Sequence, residues 1–63
     1  MSNLKAMREK RGLLQKDLAD KSGVTLRSIQ AYEQGQKDIN KASVSTVIAL
    51  AKALRCDVYD IIN

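Results

Sequence analysis

The chain has 63 residues, a formal net charge of +4, one cysteine and no histidine. This length allows one small domain, and the positive charge favours an anionic partner. The absence of histidine excludes Ser–His and Cys–His catalytic pairs, and one cysteine leaves neither a soft-metal site nor an intramolecular disulfide. We therefore expect one cytoplasmic, non-enzymatic domain over residues 1–63, without a cofactor or metal. No signal peptide is expected, because the charged first twenty residues contain no apolar h-region. No membrane span is expected either, because the longest charge-free apolar run, residues 42–51, is too short.

Caps and glycines predict a chain of short helices. Ser2 or Asn3 is expected to cap a first helix that runs through about Lys10 and that Gly12 ends. A second helix is expected over residues 15–21. Gly23 follows it and provides the positive φ angle that a sharp turn between two helices needs.

The third predicted helix begins after its expected N-cap, Thr25, and ends at Gln34 before a glycine. At about 100° per residue, the apolar anchors Ile29 and Tyr32 fall on one side. The opposite side carries Leu26, Arg27, Gln30, Ala31 and Gln34. Arginine pairs with the O6/N7 edge of guanine and glutamine with the N6/N7 edge of adenine, so this side suits contacts to bases. An ordinary solvated face is the alternative.

The second half of the chain predicts a loop and two more helices. Residues 36–42 are expected to form a polar loop with Ile39 tucked beneath it. Ser43 is the predicted cap of a fourth helix, and Asp57 is the predicted cap of a short fifth helix over residues 58–62. The expected core stripe of the fourth helix is Val44, Val47, Ile48, Ala51 and Leu54.

The stretch QKDLADKSGVTLRSIQAYEQG, residues 15–35, resembles the helix-turn-helix of the lambda-repressor-like family, also called the Cro/CI or XRE type. The resemblance extends over residues 4–62 and places the helix-turn-helix at about residues 15–34. It implies a compact, all-α, five-helix domain. It also implies a bacterial or phage transcription regulator of mobile-element type, expected to be a repressor, that binds double-stranded DNA in the major groove.

The resemblance also assigns roles to individual residues. Gln15 matches a glutamine that contacts the DNA backbone and braces the recognition helix. Lys37 and Lys41 match a loop that contacts the backbone, and Arg8 and Glu33 match a pair that forms an internal salt bridge in relatives. The candidate DNA-contacting positions of the third helix are Leu26, Arg27, Gln30 and Ala31, which match base-contacting positions, together with Thr25 and Gln34.

Two residues depart from this family pattern, and two others have roles of their own to decide. Leu14 occupies a position where Ser or Thr usually caps, and Arg55 occupies one where glycine commonly ends the fourth helix. Each departure costs roughly 1 kcal/mol. Tyr32 is expected to pack against the fourth helix rather than to bind phosphate. Cys56 is expected to be buried, which disfavours a role as a redox-sensing thiol.

The end of the chain suggests how two copies meet. The predicted fifth helix carries four large apolar residues, Val58, Tyr59, Ile61 and Ile62. A helix this short has about one inward-facing stripe, so at least one or two of the four should face outward. We expect a weak homodimer, or a dimer formed on a palindromic operator. The alternative is that all four pack into the core. A second class of function also remains open, a protein-interaction module such as an antitoxin or anti-repressor whose main partner is another protein.

Overall fold

The computed structural model describes residues 2–62, which form four α-helices, two single-turn 3-10 helices and no strand. The helices are α1 (Asn3–Lys10), α2 (Gln15–Ser22), α3 (Leu26–Gln34) and α4 (Val44–Leu54). The 3-10 helices are Ile39–Lys41 and Val58–Asp60. The predicted all-α class is confirmed, but the segment predicted as a fifth helix over residues 58–62 is a single 3-10 turn.

Side-chain caps and left-handed glycines set the helix boundaries. Ser2, Thr25 and Ser43 each accept a hydrogen bond at 3.2 Å from the backbone N–H three residues later. Each bond satisfies an N–H of the first turn that has no partner inside the helix. Gly23 (φ 76°) and Gly35 (φ 81°) end α2 and α3 in the left-handed conformation. The predicted bounds of α1 and α3 are confirmed, and α2 extends one residue beyond its predicted end.

Two helix ends lack the usual residue and are supported in other ways. The backbone N–H of Leu14, the N-cap of α2, donates to the Asp17 carboxylate at 3.0 Å. Arg55 ends α4 with φ 54°, a left-handed conformation that costs a residue with a Cβ about 1–2 kcal/mol. The Arg11 guanidinium donates to the backbone carbonyls of Leu54 at 2.8 Å and Arg55 at 3.1 Å. These bonds satisfy carbonyls at the end of α4 that have no partner within the helix.

One apolar core lies where α2, α3 and α4 meet. Its fully buried side chains are Leu4, Leu18, Ile29, Leu50, Leu54 and Ile61. Ile39 is only 2% exposed, which confirms its predicted place beneath the loop. Tyr32 is half-buried against this cluster.

The core stripe of α4 differs from its prediction at three positions. Val44 is 74% exposed and Ile48 is 40% exposed, so neither belongs to the core. Leu50, which the predicted stripe omits, is fully buried. The stripe is Val47, Leu50, Ala51 and Leu54.

The four apolar residues after α4 divide between the core and the surface. Ile61 is buried, Val58 and Ile62 are half-buried, and Tyr59 is 85% exposed. The prediction that at least one of them faces outward is confirmed. Cys56 was expected to be buried and is half-buried instead. Desolvation by its surroundings, helped by the nearby Asp60 carboxylate, raises the pKa of the Cys56 thiol, which opposes thiolate chemistry.

Candidate nucleic-acid interface

Polar side chains of α3 face a shallow concave surface, which we call the α3 groove. It is lined by Thr25, Arg27, Ser28, Gln30, Gln34 and Lys37, with Ala31 and Gln36. Arg27 and Gln34 are exposed and Gln30 is half-buried, while Ile29 points the other way into the core. The groove therefore brings together most of the predicted DNA-contacting positions of this helix.

Four of the predicted residues are placed less favourably. Ala31 is only 9% exposed, so it offers little surface to a base. Leu26 is 40% exposed but does not line the groove, and neither do Gln15 and Lys41. Sequence reasoning did not include Ser28 and Gln36, which do line it. The hydroxyl of Ser28 accepts a 2.9 Å hydrogen bond from the Thr25 hydroxyl, a local pairing that residue type alone does not reveal.

The groove carries positive charge and hydrogen-bonding amides. Its lining includes Arg27 and Lys37 and no carboxylate among the described residues 2–62. The guanidinium is a fixed fork of N–H donors, and the glutamine amides both donate and accept hydrogen bonds. This combination matches the donor and acceptor pattern of base edges in a major groove.

A buried ion pair fixes the end of α3. Arg8 Nε lies 2.7 Å from Glu33 Oε2, and Arg8 Nη2 lies 3.0 Å from Glu33 Oε1. Arg8 Nη1 also donates to the Leu13 carbonyl at 2.7 Å. The side chains of Arg8 and Glu33 are 11% and 2% exposed. The hydrogen bond to Glu33 raises the pKa of Arg8, which favours the charged guanidinium.

The start of α2 joins the same pair. Gln15 Nε2 donates to Glu33 Oε1 at 3.0 Å, so the Glu33 carboxylate contacts side chains of both α1 and α2. One N–H of the Gln15 amide is used in this bond, and an amide group has two. The Gln15 side chain is thereby held at the N-terminus of α2, beside the end of α3.

The loop after Gly35 is tied back to α3. The backbone N–H groups of Gln36 and Lys37 both donate to the Ala31 carbonyl, at 2.9 and 3.2 Å. Lys37 Nζ lies 5.9 Å from the centroid of the Tyr32 ring, within the range of a cation–π contact. These contacts hold Lys37 at the edge of the α3 groove. Lys41 is exposed at the end of the first 3-10 helix.

Residues 2–62 offer little for a metal site or a membrane span. No group of three or more His, Cys, Asp or Glu side chains in this range is placed to hold a metal ion. No helix in the same range has the length and apolar character needed to cross a membrane.

A family model described as helix-turn-helix matches residues 4–61. The chain belongs to this helix-turn-helix family. The family is of the XRE, lambda-repressor-like type, so the predicted resemblance is confirmed. Membership supports DNA-binding transcription regulation as the function of the chain.

One solved structure extends the comparison. The restriction-modification controller protein C.AhdI from Aeromonas hydrophila superposes with a TM-score of 0.81 at 29% sequence identity. The match covers 92% of this chain and 83% of that chain. No curated protein matches the sequence.

Proposed function

We propose that the protein is a transcription repressor that recognises a specific duplex sequence by inserting α3 into the major groove. The observation that carries the proposal is the α3 groove, where Arg27, Gln30 and Gln34 are gathered without a carboxylate. A solvated helix face normally mixes both signs of charge, whereas this face holds groups that pair with purine edges. The residues nearest the N-terminus of α3 approach the bases most closely in this family of docking geometries.

Contacts to phosphates position the helix. The second N–H of the Gln15 amide is directed to a phosphate, alongside the backbone N–H groups of the first turn of α2. Lys37 and Lys41 contact the backbone on the other side of α3. These contacts add affinity for every duplex and carry no sequence information.

Repression is the simplest regulatory outcome of such binding. A bound domain that overlaps a promoter excludes other proteins from the same stretch of DNA, and this needs no further chemistry. The similarity to C.AhdI, a restriction-modification controller protein, supports a role in controlling gene expression.

A second copy completes the recognition of the operator. A surface that we call the apolar face combines two exposed side chains, Val44 and Ile48, with half-buried Val58 and Ile62, and all four line one concavity. A single recognition helix reads only a short half-site, so two copies related by a two-fold axis lengthen the sequence that is read. Because so few side chains form the apolar face, we expect an interface smaller than the roughly 800 Å² per partner of a stable complex, and a monomer or weak dimer that pairs on DNA.

Selection of bound duplexes from a random pool tests this function. We expect enrichment of two inverted half-sites whose centres lie about 34 Å, one helical turn, apart. Enrichment of a single half-site would contradict pairing on DNA. Failure to enrich any sequence would contradict specific recognition, and a partner retained from nuclease-treated lysate would then favour the protein-interaction alternative.

A further inference from the structure

Five exposed cations cluster away from the α3 groove, around the C-terminal ends of α1, α2 and α4. We call this cluster the basic surface, and its members are Lys10, Arg11, Lys21, Lys52 and Arg55. They line two shallow concavities that share Arg11 and Arg55, so the surface is continuous. It has no lining residue in common with the α3 groove.

The basic surface holds much of the net charge of the chain. Its five cations are accompanied by two carboxylates, Asp57 and Asp60, which leaves a local charge of +3 out of a total of +4. Within residues 2–62, the side chains of Lys10, Lys52 and Arg55 form no ion pair. Concentrated charge of one sign attracts partners of the opposite sign and accelerates their association.

Helix dipoles do not account for all of this charge. Lysine and arginine are favoured near helix C-termini, and Lys52 and Arg11 already provide cations at the end of α4. Arg55 adds another charge in a left-handed conformation where glycine is unstrained. The chain therefore keeps an exposed cation at a position where its backbone is strained.

We propose that the basic surface docks an acidic segment of a partner protein while the α3 groove faces DNA. The apolar residues Met7 and Ala51 line the same concavity as Lys10, Lys52 and Arg55. A peptide that alternates carboxylates with small apolar side chains would pair its carboxylates with the cations and pack its apolar side chains against these residues. Such a peptide can place its neutral residues against Asp57 and Asp60, whereas the evenly spaced phosphates of a nucleic-acid backbone cannot avoid these carboxylates beside Lys52.

The test uses the full chain and a short fluorescein-labelled peptide of alternating glutamate and alanine. We expect saturable binding, measured by fluorescence anisotropy at low salt, that weakens as salt rises. Lys10→Gln with Lys52→Gln should weaken this binding about fivefold to tenfold, as loss of two exposed cationic contacts predicts. Lys37→Gln with Lys41→Gln removes the same charge elsewhere and should change it less than about twofold.

A labelled random-sequence duplex provides the reciprocal measurement. It should bind more weakly to the Lys37→Gln, Lys41→Gln variant and nearly normally to the Lys10→Gln, Lys52→Gln variant. The proposal would be overturned if the peptide did not bind, or if the two double variants lost peptide binding equally. Loss of duplex binding confined to the Lys10→Gln, Lys52→Gln variant would assign the surface to nucleic acid and also overturn it. The Lys37→Gln, Lys41→Gln variant could bind duplex normally while peptide binding behaves as expected. In that case the proposed contacts of Lys37 and Lys41 to the DNA backbone are wrong, and the proposed peptide binding by the basic surface is still supported.

Discussion

Arg8 and Glu33 meet in a two-point ion pair, with N–O distances of 2.7 and 3.0 Å, that joins α1 to the end of the recognition helix. Gln15 donates to the same carboxylate from the start of α2. One carboxylate thus fixes the relative positions of three helices. Arg8 is a structural residue in this arrangement, although it is a cation in a DNA-binding protein.

Glu33→Gln should strongly destabilise the fold. The substitution leaves the Arg8 guanidinium buried without its counter-charge, which costs about 3–5 kcal/mol in comparable buried pairs. Urea unfolding should show the lower free energy of unfolding. Glu9→Gln, which removes an exposed carboxylate from the same helix as Arg8, is the matched control and should have little effect. Equal stability of the two variants would show that the pair contributes nothing.

Arg55→Gly should stabilise the protein. It relieves the left-handed strain at φ 54°, and this gain is partly offset by the greater freedom of glycine in the unfolded chain. We expect a net gain of up to about 1 kcal/mol, or several degrees in Tm for a domain of this size. Arg55→Ala removes the same charge but keeps the Cβ, so it should give no gain. Equal increases in Tm for both variants would assign the effect to charge instead of backbone conformation.

The helix boundaries were predictable because their signals are local. Thr25 and Ser43 cap through bonds to a residue three positions later, and Gly35 ends α3 through its own φ angle. None of these depends on the rest of the fold. The side of α3 that faces solvent was predictable for a similar reason, since Ile29 is a large apolar anchor and Arg27 and Gln34 are not.

The packing of α4 was not predictable in the same way. This helix is apolar around most of its circumference, so a stripe through Val44 and Ile48 fits helical spacing as well as one through Leu50. Which stripe is buried is decided by contact with α2, a tertiary fact. The hydrogen bond between Gln15 and Glu33 was also not predictable from local sequence, because it joins residues far apart in the chain. Only the family resemblance suggested that Gln15 has a bracing role.

Pairing of two copies should depend on the apolar face. Val44→Asp places a charge on a side chain that is 74% exposed, and it does so at the first position of α4, where the helix dipole tolerates an anion. We expect cooperative binding to a palindromic duplex to fall while Tm and half-site binding stay nearly unchanged. Ile48→Lys should have the same effect, because Ile48 lines the same face and is 40% exposed.

Ile61→Asp provides the contrast for this experiment. Ile61 is fully buried, so a carboxylate there should unfold the domain and abolish all binding. Unchanged cooperativity in both Val44→Asp and Ile48→Lys would remove the apolar face from the interface.

The most direct test of the proposed function is the ratio of affinities for the selected duplex and for random duplex, measured for Arg27→Ala and Gln30→Ala. Each substitution should weaken binding to the selected sequence by about 1–3 kcal/mol and leave binding to random duplex nearly unchanged, so the ratio falls. Lys37→Ala is the control and should weaken both duplexes alike while reducing the salt dependence. If the ratio for Arg27→Ala and Gln30→Ala equals that of the unaltered protein, α3 does not read the sequence through this groove.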